Sequence, residues 1–139
     1  MTGSDADWTL DPRLARDTVA VGDLALSRLL VMDDARFPWA ILVPRRRGAV
    51  EPIDLAEHDQ QRLTREIATI GAALRAVTVC HKLNIAALGN LVPQLHVHVV
   101  ARFRHDAAWP RPVWGSGPAQ RYDPAARERL VAALAAAIG

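Results

Sequence analysis

Val92-Pro93-Gln94-Leu95-His96-Val97-His98-Val99-Val100 is the stretch around which the rest of the chain is read. It alternates strictly, with Leu95, Val97 and Val99 on one side of an extended chain and Gln94, His96 and His98 on the other. The pattern predicts a strand with an apolar back for the core and a polar working face. Pro93 is tolerated at the start of such a strand, where no ladder hydrogen bond need be donated. Imidazole titrates near neutral pH and serves as nucleophile, general base or metal ligand. The residues alone therefore leave three readings of His96 and His98. They are half-buried polar side chains. Or they are a metal pair completed by His81, His105 or Asp33, none of which has a diagnostic spacing. Or they carry out metal-free acid-base or nucleophilic chemistry.

Just before this stretch, Lys82 to Leu88 predicts a strand, and Gly89-Asn90 a turn joining it to the histidine strand as a hairpin. Further upstream, Leu55, Leu63, Ile67, Ile70, Leu74 and Val77 recur at helical spacing, with Arg62, Arg65, Glu66 and Arg75 between them. A helix over about 55–78 follows, opened by a capping box of Asp54 and Glu57. Leu24–Met32 and Trp39–Pro44 read as an antiparallel pair joined by the polar turn Asp33-Asp34-Ala35-Arg36. Val19-Ala20-Val21 precedes a turn at Gly22-Asp23. Asp11-Pro12 and Asp123-Pro124 are both N-cap and first-turn proline signals, for helices over about 12–17 and to about Ile138. Trp109 to Pro118 carries too many prolines and glycines for regular structure, and its two tryptophans suggest a loop lying flat on a surface. Runs of antiparallel strands with helices across one face make an α+β protein.

The 139 residues suffice for one domain with a real core, and half of them are hydrophobic. No apolar run approaches the roughly 20 residues of a membrane helix. Residues 1–8 show neither a basic nor an apolar leader pattern. The one cysteine, Cys80, excludes an intramolecular disulfide and a cysteine-rich zinc site. These points predict a cytoplasmic protein with no membrane partner. Net charge is +2, and Lys82 is the only lysine among the basic residues. The tight cluster Arg45-Arg46-Arg47 reads as a solvated strand end, so no nucleic-acid partner is expected.

The stretch Gln94-Leu95-His96-Val97-His98-Val99-Val100 resembles the motif of the histidine triad (HIT) family, His-φ-His-φ-His-φ-φ with φ apolar. His96 and His98 match the second and third histidines; Gln94 stands where the first would be. The resemblance extends over about residues 20–104, through Leu29–Asp33, Phe37–Arg45, the helix near 55–78, Lys82–Ile85 and Gly89–Val92. Residues 105–139 form a family-variable tail and C-terminal helix. It implies a single HIT-like domain over 1–139: a five-stranded antiparallel sheet carrying a main helix and a C-terminal helix. It implies a hydrolase or transferase acting at the α-phosphate of a nucleotide. His96 would be the nucleophile, His98 a phosphate contact, and Asp33, Asn84, Gly89 and Asn90 nucleotide-binding residues. Gln94 would aim its amide at a phosphate or at the leaving group, without being able to protonate it. A homodimer is implied, with no cofactor beyond Mg²⁺ carried by the substrate. A nucleotide-binding module with little catalysis is the alternative, and a metal-dependent hydrolase using His96 and His98 a weaker one.

Overall fold

The computed structural model describes residues 5–139; part of the stretch read as lacking a leader pattern, residues 1–4, lies outside them. The chain forms helix α1 (Pro12–Asp17), strands β1 (Thr18–Asp23), β2 (Ser27–Met32) and β3 (Trp39–Pro44), helix α2 (Glu57–Thr78), strands β4 (Lys82–Ala86) and β5 (Val97–Arg102), and helix α3 (Pro124–Ile138). The five strands make one sheet in the order β1-β2-β3-β5-β4, with every neighbouring pair antiparallel. The expected α+β architecture is therefore present.

The two faces of the sheet bury different things. Leu29, Val31, Ala40, Leu42, Val97, Val99 and Ala101 pack with Leu63, Ile70 and Leu74 of α2 and Leu134 of α3. Full burial of each Leu, Ile or Val among them is worth about 1.5–3 kcal/mol. The opposite face, with Leu30, Trp39, Ile41, Val43 and Val100, is covered by Trp8 and Leu14 from before β1 and by Ala108 and Val113 from after β5. It is on this second face, away from α2 and α3, that the histidines emerge.

Several boundaries differ from expectation for identifiable reasons. Gly22-Asp23 is not a turn: β1 runs through it with a bulge between Ala20 and Gly22, and the turn follows at Leu24. A Cβ on Gly22 would come within 3.1 Å of Ile138, so glycine there lets α3 close on the sheet. Asp54 does form a capping box, but with Glu51 around the 3₁₀ turn Pro52–Asp54; α2 is capped by Ala56, without a side-chain bond. Val77 faces solvent, and Glu66, read as part of the polar face of α2, is buried. Its carboxylate accepts from the N–H groups of Leu26 and Ser27 at 2.8 and 3.0 Å, stapling α2 to the β1–β2 corner. The arginine cluster is not merely solvated, since Arg46 is ion-paired with buried Asp59 at 2.7 Å. β4 ends at Ala86 and β5 begins only at Val97, so the two are joined by a long irregular connection and not by a tight hairpin.

The tail beyond β5 is held by a buried charge. Arg102, 1% exposed, pairs through its fork with both carboxylate oxygens of Asp106 at 2.8 and 3.1 Å. It also donates to Asn84 Oδ1 and the Arg111 carbonyl and lies between the rings of Phe37 and Trp109. Burial opposes ionisation of Asp106, but Arg102 and the N–H groups of Phe103, Ala108 and Trp109 outweigh it and lower its pKa to about 2. Because that value lies below the unfolded one, the stabilisation is present above about pH 4 and is lost as pH falls toward 2. Asp106→Asn should cost about 3–5 kcal/mol in urea denaturation at pH 7, the scale for stranding one member of a buried pair. The cost should shrink as the pH of the measurement is lowered through that window.

Candidate active site

His96 immediately precedes β5 and His98 is its second residue, where the chain leaves its irregular connection and joins the sheet. Leu95 enters by donating its N–H to the Ala49 carbonyl. From Val97 onward the ladder with β3 and β4 fixes the alternation, so His98 shares a face with Val100 and Arg102. Both imidazoles are almost fully buried, 6% and 5% exposed, with ring centroids 4.8 Å apart.

Hydrogen bonding assigns each ring its tautomer. The Trp39 indole N–H donates to His98 Nδ1 at 3.0 Å, so Nδ1 carries the lone pair and the proton of neutral His98 resides on Nε2. Burial, and secondarily the neighbouring His96, lower the pKa of His98 to about 3. His96 Nδ1 lies 2.7 Å from the carbonyl oxygen of Gln94. A carbonyl only accepts, so His96 carries its proton on Nδ1, and Nε2 keeps a lone pair with no partner among the described residues. One ring thus offers a lone pair and its neighbour an N–H, side by side.

These rings border a cleft of about 410 Å³, whose other walls include Arg13, Leu14, Gly89, Asn90 and Trp114. Asp17, Met32, Leu91 and Trp114 also line an adjoining cavity of about 590 Å³ that reaches Asp33, Arg36 and Arg121. Gly89 has φ +70°, which favours glycine, and the N–H groups of Gly89 and Asn90 find no acceptor among the described residues. They are available to an anion, in the manner of turn amides. Trp114 stands edge-on to both His98 and Trp39, and its buried indole N–H has no partner among the described residues. The tail loop therefore does pack on the sheet, and it does so at the site. Sequence reading names neither Trp114 nor Trp39 as a site residue, although Trp39 lies in the Phe37–Arg45 stretch that carries the family resemblance. Their one signal is the presence of tryptophans at a strand start and in a Pro-Gly loop.

Three expected site residues are spoken for. Gln94 precedes β5, so the strand period does not govern its side chain. Its Oε1 accepts from the Asp11 N–H and its Nε2 donates to the Thr9 carbonyl, both at 2.8 Å. The amide expected to face a phosphate holds the N-terminal segment instead. Asp33 accepts from the Tyr122 N–H and from Arg121 and Arg127, so its carboxylate anchors the start of α3 as well as edging the adjoining cavity. Burial opposes its ionisation, but the Tyr122 and Arg121 hydrogen bonds and the Arg127 and Arg121 charges win, and its pKa is lowered. Asn84 Oδ1 accepts from Arg102. Among the described residues no three His, Cys, Asp or Glu side chains are grouped to hold a metal ion, and no helix is long and apolar enough to cross a membrane.

The family model of the HIT domain matches residues 13–105. Three crystal structures are similar over nearly the whole chain. A histidine triad protein of Bradyrhizobium japonicum is 53% identical, with a TM-score of 0.93, covering 95% of this chain and 98% of that one. A histidine triad protein of Sinorhizobium meliloti is 43% identical, with a TM-score of 0.92 and coverage of 94% and 97%. One from Marinobacter aquaeolei is 40% identical, with a TM-score of 0.91 and coverage of 94% and 96%. No curated protein matches the chain.

The tautomer assignment is open to nitrogen NMR. His98 should stay neutral from about pH 5 to 9, with Nδ1 unprotonated and Nε2 protonated. Its pKa of about 3 lies below the 6.5 of a free imidazole, so unfolding takes up a proton between those limits, and stability drops as pH is lowered through that window. Trp39→Phe removes the donor that occupies Nδ1 and should raise the His98 titration point, leaving it below 6.5 because the ring is still buried. A His98 that titrates near 6.5 in the wild-type protein would contradict the assignment.

Proposed function

The chain belongs to the HIT domain family, and on that ground we propose that it is a nucleotide hydrolase or transferase working through a nucleotidyl intermediate on His96. The observation that supports this reading is the Nδ1 hydrogen bond of His96 to the Gln94 carbonyl, which leaves Nε2 with a free lone pair beside the cleft. In the first step Nε2 attacks the α-phosphorus, a P–N bond forms, and the P–O bond to the leaving group breaks with its electron pair. The ring then carries a positive charge, and the Nδ1 proton directed at a carbonyl stabilises it. His98 donates its Nε2–H to a non-bridging oxygen, and the N–H groups of Gly89 and Asn90 meet the charge that develops there. In the second step water attacks the same phosphorus, the P–N bond breaks, and the pair returns to Nε2. The proton of the attacking water leaves to solvent. Splitting one displacement into two is the ordinary gain of covalent catalysis.

No titratable acid stands where the family has its first histidine. A leaving group that departs as an anion, such as the nucleotide of a dinucleoside polyphosphate, suits this site better than an amine that must be protonated. A phosphoramidate is therefore the poorer substrate. Nothing in this scheme calls for a protein-bound metal, and any Mg²⁺ arrives with the polyphosphate. The nucleoside lies in the larger cavity, walled by Trp39 and Trp114, with the Trp114 N–H, which has no partner among the described residues, as a donor to it.

The test is a panel of dinucleoside polyphosphates and nucleoside phosphoramidates, with and without chelator. His96→Ala should lower turnover by at least about 10³-fold, the order expected when a covalent nucleophile is removed, while AMP still binds. Intact turnover in that variant would sink the assignment. AMP binding without wild-type turnover of any substrate would point to a nucleotide-binding module.

We also propose a homodimer formed along the β4 edge. β4 is the last strand of the sheet, and Ile85 on it is exposed, as are Leu88 just beyond it and Val50 and Ile53 before α2. Light scattering at micromolar concentration should give twice the 15.2 kDa of one chain, and Ile85→Glu should shift the mass toward that of a single chain. A monomeric wild-type protein would contradict the proposal.

A further inference from the structure

Gln94 occupies the one triad position where this chain departs from the family pattern, and its side chain makes two long-range hydrogen bonds to a segment more than eighty residues away. Both go to backbone: Oε1 accepts from the Asp11 N–H, and Nε2 donates to the Thr9 carbonyl. An amide is the side chain that can do both at once, since one end accepts and the other donates. A neutral imidazole in its place could also accept and donate, but along one fixed axis through the ring.

The segment so held is built into the site. Asp11 caps α1 by accepting from the Arg13 N–H, and its carboxylate takes the Arg13 guanidinium in a fork. Arg13 reaches across to the Leu91 carbonyl at 2.9 Å, on the connection that carries Gly89 and Asn90. Leu14 is buried under the sheet face, and Arg13, Leu14 and Asp17 all line the cleft that His96 and His98 border. The cleft thus has the two imidazoles on one side and α1 on another. Gln94 lies between them: its carbonyl orients His96, and its side chain fastens the opposite wall.

We propose that Gln94 is a positioning residue that latches residues 9–14 as a wall of the histidine pocket, and that this wall determines how tightly the pocket closes on its ligand. The inference rests on the nucleotide reading for the identity of that ligand and not for the latch itself. In the family pattern this position carries a titratable ring; here it carries a clamp for the chain's own N-terminal arm. Gln94 acts through the arm and not on the reacting phosphorus.

The experiment compares the full-length protein with its Gln94→Ala and Gln94→Glu variants by three readouts. Glutamate keeps an acceptor for the Asp11 N–H but cannot donate to the Thr9 carbonyl, so it releases half the latch, and it serves if the alanine variant does not fold. The first readout is amide hydrogen exchange over residues 9–14, expected to accelerate on the order of 10-fold in Gln94→Ala, the scale of losing two neutral hydrogen bonds. The second is the rate at which diethyl pyrocarbonate modifies His96, expected to rise as the wall loosens. The third is the AMP dissociation constant, together with steady-state kinetics on a dinucleoside polyphosphate. Kd and KM should rise together by about the same factor, kcat should change by less than that factor, and the pH profile should keep its shape. Gln94→Glu should fall between wild type and Gln94→Ala in each.

Unchanged exchange over residues 9–14 would overturn the latch. Faster exchange with unchanged His96 modification would overturn the wall. Turnover slowed by about 10²-fold or more, the scale of losing an acid-base group, with AMP affinity intact, would place Gln94 on the reaction itself and overturn the proposal. If wild-type protein binds no AMP, the nucleotide reading falls, while exchange and modification of His96 still decide the latch.

Discussion

Arg102 is a fully buried cation, and the face of the sheet that carries the histidines is organised around satisfying it. An isolated charge in such a place would cost many kcal/mol, so it must be paired and its remaining donors used. Asp106 supplies both oxygens, Asn84 a third acceptor and the Arg111 carbonyl a fourth. Meeting that demand bends the chain back on itself directly after β5. The bend delivers Ala108, Val113 and Trp114 onto the sheet face beside His98. A loop with the composition of residues 109–118 would otherwise have little reason to settle in one place.

The electrostatics of the site follow from that covering. Trp114 and Trp39 bury His98, and the Trp39 N–H fixes which of its nitrogens bears a proton. The ring is kept neutral in a protein rich in arginine, so it offers a hydrogen-bond donor and not a fixed charge. His96 is held in the complementary tautomer by a carbonyl of its own chain. Two chemically identical side chains, two residues apart, are thus given opposite hydrogen-bonding roles by what each Nδ1 touches. That division suits the displacement proposed for the site: one nitrogen to attack, one N–H to receive the charge.

The sequence shows the sheet clearly because burial on both faces gives a strand such as β3 a short, continuous apolar run that turn residues bound. α1 and α3 are equally legible, since Asp-Pro at a helix start is a local signal whose geometry does not depend on the rest of the molecule. What sequence reading misses is long-range hydrogen bonding. Glu66 looks like one more polar residue on the exposed face of α2, and only the β1–β2 corner gives it a reason to be buried. Asp33 and Asn84 are expected from the family resemblance to meet a ligand, yet Asp33 is bonded to the C-terminal segment and Asn84 to Arg102. Gln94 fails for a sharper reason. Period two holds only within a ladder, and β5 starts at Val97, so a face assigned by alternation has no force there. The fold is set by repeated local patterns, whereas the site depends on partners dozens of residues away.

The chemistry stands or falls on whether His96 Nε2 takes the nucleotidyl group. The measurement that sees this is rapid acid-free quenching of the protein with a dinucleoside polyphosphate, followed by intact-mass and peptide mass spectrometry. The expected result is a transient species heavier by one nucleoside monophosphate, mapped to His96, formed by Gln94→Glu as well as by wild type and absent in His96→Ala. Turnover of the same substrate with no adduct at any time, or an adduct on another residue, would contradict it.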